Sequence, residues 1–250
     1  TAEKVAKHLE SLGMEVKTGI AHTGVVGILK GDKPGPMVAL RADMDALPVT
    51  EMTGLPFASK VRDKFNGLDV GVMHACGHDA HVAILMGVAE FLTSIKNDLA
   101  GSVMFIFQPA EEGPPVGEEG GAQLMLKEGI WKDKKPEVVF GLHVTNAPNG
   151  MIAYREGAAM AAADPWKIVI NGKQAHGSRP WDSVDPIMVA FQLGNNLQTI
   201  VSRKLDLRES PAVISVGSIH GGVRSNIIPE VVEMEGTIRT YDSGIRDQIF

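Results

Sequence analysis

One short segment of the chain concentrates three kinds of side chain that bind metals. Residues 73–81 contain three histidines, an aspartate and Cys76, the only cysteine of the 250 residues. Thiolate, imidazole and carboxylate groups are the protein ligands of divalent transition metals. A structural four-ligand zinc site normally needs more cysteines or the paired spacing of a zinc finger, and neither is present here. The segment therefore predicts a metal site of another kind.

Three further segments carry side chains of the same chemistry, each directly after an apolar stretch that predicts a strand. These side chains are Asp43, Asp45, Glu111, Glu112 and His143. In open α/β sheets, ligands bind outside the carboxyl ends of the strands. We therefore expect all four segments to deliver their metal-type side chains to one edge of one sheet.

Each of these side chains also has a simpler interpretation when it is taken alone. Asp43 and Asp45 are typical of a turn before Pro48. The adjacent glutamates are typical of a solvated pair in a loop rich in glycine and proline. His143 is typical of a hydrogen-bonded core histidine at the end of a strand. The convergence of four segments is what favours the metal site.

The adjacent residues Glu111 and Glu112 suggest that two carboxylates divide the chemistry between them. Side chains of successive residues in extended backbone point to opposite sides. One carboxylate can therefore bind a metal while its neighbour faces water on the substrate side as a general base. Two metals roughly 3.5–4 Å apart could share that water. The pattern indicates metal-assisted hydrolysis.

The elements that must position these residues alternate between strands and helices. Strands are predicted at residues 15–18, 25–29, 37–41, 103–107 and 138–142, and helices at 1–12, 82–92 and 122–129, with Asp79 as the cap of the second helix. This alternation favours an α/β layer fold. From residue 164 the order becomes β-α-β-β-α, which is typical of most of a ferredoxin-like α+β domain. The predicted domains are 1–163 and 164–250.

Composition narrows the class of protein. The net charge of −6 and the pI near 5.7 give no indication of binding to nucleic acid or to an anionic membrane. No apolar run reaches the length of a transmembrane helix. A lone cysteine fits a reducing compartment or a thiolate shielded by a metal. We expect a cytoplasmic protein, although a leader could have been removed before Thr1.

Longer motifs around these residues resemble a known family. The motifs are 41–48 (RADMDALP), 73–81 (MHACGHDAH), 107–113 (FQPAEEG), 141–143 (GLH), 174–180 (QAHGSRP), 185–186 (DP) and 224–229 (RSNIIP). They are similar to the M20 metallopeptidases and amidohydrolases, and more narrowly to the branch of hippurate hydrolase, auxin-conjugate hydrolases and aminoacylases. The resemblance implies a mixed-sheet, phosphorylase/hydrolase-like catalytic domain and an inserted ferredoxin-like domain that serves as lid and dimerisation domain.

The resemblance also implies roles for residues of the first domain. The positions that match metal ligands are Cys76, His78, Glu112 and His143. Glu111 matches the catalytic acid and base, and Asp45 matches a carboxylate that orients a ligand imidazole. His74, Asp79 and His81 are not expected to be ligands, and His81 is expected either to support a ligand or to face solvent.

Three residues of the second domain match functional positions of the family. His176 matches a histidine that stabilises the tetrahedral intermediate, often in the active site of the other subunit. Asn226 and Arg224 match positions near the carboxylate or the carbonyl of the substrate. Without the resemblance, His176 and Arg224 are more typical of surface groups.

The function that the resemblance implies is hydrolysis of the amide bond of an N-acyl amino acid by a homodimer. Two divalent metal ions per full-length subunit are implied, zinc or manganese ahead of cobalt or nickel. One alternative is a dipeptidase or a deacetylase of an acetylated diamino acid, although Asp43 and the Cys-Gly-His motif favour the amidohydrolase branch. Another is an inactive binding or dimerisation fragment, because the family supplies one more histidine ligand after the small domain. On this comparison the chain looks truncated at both ends.

Overall fold

The computed structural model describes residues 1–115 and 117–250, and contacts divide them into two units. Unit 1 is Thr1–Pro148 and unit 2 is Asn149–Phe250. The change of pattern that the sequence places at residue 164 therefore falls inside unit 2. Each unit is described separately below.

Unit 1 is an α/β layer structure built on a mixed sheet of five strands. Its elements are α1 (Ala2–Ser11), β1 (Glu15–Ile20), β2 (Gly24–Lys30), β3 (Lys33–Asp43), β4 (Arg62–Phe65), β5 (Leu68–Gly71), α2 (His78–Ser94), β6 (Ala100–Gln108), α3 (Gly121–Lys127) and β7 (Val138–Gly141). The strand order is β1-β2-β6-β3-β7, and β3 pairs in parallel with β6 and β7. All five predicted strands and three predicted helices of this region are present, whereas the hairpin β4–β5 was not predicted.

The core lies on both faces of this sheet, and strand β6 contributes to both. Phe105 and Phe107 are fully buried against α1 and α2, while Met104 and Ile106 pack with α3 on the opposite face. Alternate side chains of a strand point to opposite faces, so a strand covered on both sides reads as a continuous apolar run. Burial of each large apolar side chain stabilises the unit by about 1.5–3 kcal/mol.

The parallel pairing around β3 determines where the loops after the strands emerge. Asp43 at the end of β3 lies opposite Gln108 at the end of β6, and Arg41 lies opposite Gly141 at the end of β7. The segments that follow these three strands therefore begin at the same edge of the sheet. Helix α2 packs against β3 and β6, and its N-terminal residue is His78.

Unit 2 is a small antiparallel sheet covered by one long helix. Its elements are β8 (Ala162–Asn171), β9 (Ala175–His176), α4 (Pro186–Arg203), β10 (Ala212–Gly221), β11 (Ile227–Ile228), β12 (Val231–Thr240) and α5 (Ser243–Ile249). The strand order is β10-β12-β8, and Ala190 of α4 packs on Val232 and Met234 of β12. Apart from the two-residue strands β9 and β11, the order β8-α4-β10-β12-α5 is the predicted β-α-β-β-α pattern.

The long helix of unit 2 begins as its sequence predicts. The side chain of Asp185 accepts hydrogen bonds from the backbone N–H groups of Ile187 and Met188. Pro186 follows in the first turn, where its missing N–H costs nothing. Within the described residues, no helix is both long enough and apolar enough to cross a membrane.

Candidate metal centre

His78 stands at the centre of the converging segments, and its ring is held by Asp45. The imidazole is only 1% exposed. Its Nδ1 lies 3.0 Å from the carbonyl oxygen of Asp45 and 3.1 Å from the carboxylate Oδ1 of the same residue. Both partners are acceptors, so Nδ1 carries the proton and Nε2 presents a lone pair. This is the orienting contact that the sequence motif predicts for Asp45.

The other nitrogen of His78 is buried without a hydrogen-bond partner among the described residues. Three carboxylates surround this Nε2, at 3.8 Å from Asp43, 3.9 Å from Glu111 and 3.9 Å from Glu112. Leaving a buried polar atom unpaired is costly, and a lone pair facing carboxylate oxygens is repelled by them. A cation bound among these groups would accept the lone pair of Nε2 and balance the negative charge of the carboxylates. The arrangement therefore fits a divalent metal ion.

Cys76 and His143 bring two more ligand atoms to His78. The Cys76 Sγ and the His143 Nε2 are 3.4 Å apart. The Nδ1 of His143 donates to the carbonyl oxygen of Val144 over 2.7 Å, which leaves Nε2 free to bind. Ligand-type atoms of Cys76, His78 and His143 lie within 4.8 Å of one another, and so do those of His78, Glu111 and Glu112. The four segments thus meet: three of them follow β3, β6 and β7, whereas the one with Cys76 and His78 follows the separate hairpin β4–β5 and forms the start of α2.

The surroundings of Cys76 favour the protonated form of its thiol. Burial, a hydrogen bond with Glu112 and the negative charges of Glu112, Glu111 and Asp43 raise the pKa of Cys76 to about 11. At neutral pH the group is therefore a neutral thiol when no cation is bound. The thiolate is the form that binds a metal, so metal binding here must release a proton.

A third set of buried groups, Asp43 and His81 beside His78, also lies close enough to hold a metal. Its atoms already have partners, however. His81 Nδ1 is 2.5 Å from Asp43 Oδ1, and His81 Nε2 accepts the backbone N–H of Val144 at 2.9 Å. Arg41 Nη1 donates to the other oxygen of Asp43 over 2.7 Å. Asp43 and His81 are therefore already hydrogen-bonded to each other, to Arg41 and to Val144.

The carboxyl group of Asp43 is fully buried and stays ionised because of its neighbours. Burial raises the pKa of Asp43, but the hydrogen bond from His81 and the positive charge of Arg41 outweigh it and hold this pKa below its ordinary value. Sequence reasoning missed the Asp43–His81 contact. The spacing of Arg41 and Asp43 indicates only that these two side chains share a face of a strand, and it carries no signal for His81.

Two expectations for the segment 73–81 are corrected by the structure. Asp79 does not cap α2, because the helix begins at His78 and Gly77 occupies the cap position in a left-handed conformation, with φ of 81°. Asp79 lies in the first turn, where a negative charge still favours the helix dipole. His81 does not face solvent, since its ring is only 1% exposed.

The three candidate residues of unit 2 lie around the short pair β9–β11. His176 is exposed in β9, opposite Ile227 of β11, and its Nδ1 is 2.8 Å from the hydroxyl of Ser178. The backbone N–H of Gly177 donates to the backbone carbonyl oxygen of Asn226. The backbone N–H of Ile227 donates to the backbone carbonyl oxygen of Arg224. His176, Asn226 and Arg224 are thus neighbours within unit 2, and their parts in a reaction stay predictions.

The sequence of the chain matches a known protein family and several of its members. Residues 39–243 match the model of peptidase family M20/M25/M40. Thermostable carboxypeptidase 1 of Saccharolobus solfataricus is 45% identical over 250 residues, which cover 99% of this chain and 60% of that protein. Hippurate hydrolase of Campylobacter jejuni is 40% identical over 249 residues, which cover 98% of this chain and 60% of that protein. The chain thus spans about 60% of the length of these relatives.

A solved structure agrees with these matches. The YXEP protein of Bacillus subtilis, a dinuclear metal-binding peptidase of the M20 family, superimposes with a TM-score of 0.75 at 38% identity. The superposition covers 98% of this chain and 59% of that structure. Because the family match extends over most of the chain and includes the strand ends that carry the convergent ligand groups, the chain belongs to peptidase family M20/M25/M40.

Proposed function

We propose that this protein is a metal-dependent hydrolase that cleaves the amide bond of N-acyl amino acids. The observation that carries the proposal is the buried, unpaired Nε2 of His78, around which a thiol, a second imidazole and two adjacent glutamates converge. A buried lone pair among acidic groups is costly without a cation and is the expected arrangement with one.

The proposed metal ligands are Cys76, His78, His143 and Glu112. A divalent ion held by these residues would polarise a carbonyl oxygen and lower the pKa of water. We propose two ions per subunit, as in the dinuclear relative YXEP. Mixed thiolate, imidazole and carboxylate ligands suit zinc or manganese, with cobalt or nickel as alternatives.

We assign the general base to Glu111 rather than to Glu112. The backbone N–H of Glu112 donates to Asp45 Oδ2 over 3.1 Å, and the Glu112 carboxylate is hydrogen-bonded to Cys76. Glu112 is therefore engaged with the ligand groups, and Glu111 remains to face a substrate. Glu111 would take a proton from the attacking water, whose oxygen bonds to the acyl carbon. As the C–N bond breaks, the same carboxyl group would return the proton to the leaving amine.

The names of two relatives support this substrate class. Carboxypeptidase and hippurate hydrolase are names for enzymes that release an amino acid with a free α-carboxylate from an amide. We propose that Arg224 and Asn226 bind that carboxylate or the substrate carbonyl, and that His176 stabilises the oxyanion. The carboxypeptidase relative supports peptides as the second candidate substrate class.

We also propose that residues 1–163 supply the metal-binding part of the catalytic domain and 164–250 the lid and dimerisation domain. Apolar side chains exposed on α4 support a homodimer through this second part. They are Met188, Val189 and Phe191, which are 61%, 46% and 56% exposed. Sedimentation velocity of the protein and of its Phe191→Asp variant tests the dimer, and an unchanged molecular mass would contradict this interface.

The experiment that tests the reaction compares three glutamates of one loop. Glu111→Gln should keep the metal content and lower kcat by about 10²–10⁴-fold, the usual contribution of a general base. Glu112→Gln should lose bound metal, and Glu118→Gln, on the same loop, should change neither quantity. Metal content by mass spectrometry and release of amine from N-benzoylglycine, N-acetyl amino acids and dipeptides provide the readouts. Normal turnover by Glu111→Gln would refute the assignment.

A further inference from the structure

A buried histidine, both of whose ring nitrogens have hydrogen-bond partners, connects the sheet to an exposed candidate ligand. We propose that His81, held by Asp43, is a positioning residue that sets the orientation of His143 through the peptide groups of Val144. This inference rests on the metal site of the proposed function. It assigns a purpose to the third histidine of the motif, which is buried.

Both ring nitrogens of His81 are engaged, and their roles are determined by their partners. The backbone N–H of Val144 can only donate, so the His81 Nε2 at 2.9 Å must be an acceptor. The proton of the ring therefore sits on Nδ1, which donates to Asp43 Oδ1. His81 is 1% exposed and Asp43 is 0% exposed. Breaking either bond would leave a buried ring nitrogen of His81 unpaired, which is unfavourable.

The backbone of Val144 connects His81 to His143 through two hydrogen bonds. Its N–H is held by His81, and its carbonyl oxygen accepts the Nδ1–H of His143 at 2.7 Å. The proton of the His143 ring is thereby directed away from the site, and Nε2 faces the sulfur of Cys76. The rings of His81 and His143 are also in edge-to-face contact, with centroids 4.7 Å apart.

The side chain of Val144 restrains the same loop from a second direction. A Cβ atom at Gly77 would overlap the Cγ2 of Val144, so the bare backbone of Gly77 is what lets this valine pack there. Gly77 lies between the candidate ligands Cys76 and His78. The turn before α2 and the loop after β7 therefore pack directly against each other.

Asp43, the hydrogen-bond partner of His81, is held in the sheet. Arg41 donates through Nη1 to Asp43 over 2.7 Å and through Nε to Gln108 over 2.9 Å. Gln108 and Asp43 are opposite each other in the pairing of β6 with β3. Asp43 is thus held by the paired strands β3 and β6, and it in turn holds His81.

His143 needs such support because of its place in the fold. It follows β7, the edge strand of the sheet, and it is exposed, as is Val144. A ligand on a free loop must lose conformational freedom when it binds, which weakens affinity, whereas a ligand already oriented does not. Outer contacts of this kind typically change metal affinity by about 10–100-fold.

Two conservative variants separate the two hydrogen bonds of His81. In His81→Gln the side-chain oxygen reaches the place of Nε2 and can accept from Val144, but the donor to Asp43 is lost. In His81→Asn the side-chain amide reaches the place of Nδ1 and can donate to Asp43, but the acceptor for Val144 is lost. His8→Gln, on α1, is the control for loss of a partly buried histidine elsewhere in unit 1.

The test titrates the metal-free proteins with Co²⁺ and follows the thiolate-to-cobalt absorption band. We expect unchanged stoichiometry in all variants. The Kd should rise about 10–100-fold in His81→Asn, less in His81→Gln and not at all in His8→Gln. Hydrogen exchange of the Val144 amide in metal-free protein is the second readout. The exchange should be faster in His81→Asn and near the parent rate in His81→Gln. If His81→Asn does not fold, the Kd of His81→Gln decides: a value above that of the parent supports the inference, and a parent-like value contradicts it.

Several outcomes would overturn the inference. Parent-like Co²⁺ affinity and parent-like Val144 exchange in His81→Asn would show that His81 positions nothing. Loss of one whole Co²⁺ equivalent in both His81 variants would make His81 a ligand. If the parent protein bound no Co²⁺, the proposed function would fail, while the exchange rate of Val144 would still show whether His81 holds this loop.

Discussion

Replacing Gly77 by alanine measures how tightly the turn before α2 packs against the loop after β7, the two segments that carry the candidate ligands Cys76, His78 and His143. Gly77 has φ of +81°, and an added Cβ would overlap Val144 Cγ2. Left-handed backbone costs a residue other than glycine about 1–2 kcal/mol. Forcing an extra carbon into a packed contact costs about 1–3 kcal/mol. We therefore expect Gly77→Ala to lower the free energy of unfolding of unit 1 by about 2–5 kcal/mol in total.

Gly13 provides a matched control, because it shares the backbone conformation without the contact. Its φ is +75°, and an added Cβ would have no neighbour within 4 Å among the described residues. Gly13→Ala should therefore cost only the backbone part, about 1–2 kcal/mol. Urea denaturation of metal-free protein measures both variants through the fluorescence of Trp131, in a background with Trp166→Phe and Trp181→Phe. The difference between the two variants is the cost of the clash.

A double variant decides whether the clash is with Val144. Val144→Ala removes the Cγ2 atom, so it should relieve part of the cost of Gly77→Ala, and the two changes should not be additive. Equal destabilisation by Gly77→Ala and Gly13→Ala would refute the packing argument. Strict additivity of Gly77→Ala with Val144→Ala would refute it as well.

Three further predictions concern other parts of the chain. Zn²⁺ or Mn²⁺ at 100 times its Kd should stabilise the protein by about 2.7 kcal/mol, and a chelator should reverse this in a thermal scan. Asp185→Ala should lose about 1 kcal/mol by removing the cap of α4, whereas Asp185→Asn should keep it in denaturant titrations. Hydrogen bonds from Arg246 lower the pKa of Asp164, so this carboxylate stabilises the protein above the unfolded pKa of about 4. That contribution should fade as pH falls through the lowered pKa, and thermal scans of Asp164→Asn against pH should show no such loss.

The elements predicted best are those whose burial leaves a plain pattern in the chain. Strand β6 is covered on both faces, so its apolar run was sufficient to predict it. The hairpin β4–β5 was missed because its strands carry charged residues on an exposed surface. Its turn signal, the dipeptide Asn66-Gly67, was nevertheless available. The start of α2 was misplaced because Gly77 takes the cap position in a conformation that favours glycine.

The sequence by itself determined which ligand types are present and that they follow strand ends. Parallel strands bring their carboxyl ends to one edge, so the convergence of Asp45, Glu112 and His143 near His78 could be expected from local patterns. These conclusions depend on residues close together in the chain or on a general property of α/β sheets.

Only the tertiary structure shows which hydrogen-bond partners each of these side chains has. His81 lies three positions from His78, yet its ring is bonded to Asp43 and Val144, which are 38 and 63 residues away along the chain. Those partners depend on the register of β3 with β6 and on how α2 packs against the sheet. No local pattern encodes them, because the hydrogen-bond partner of a buried imidazole is set by the side chains that packing places around it.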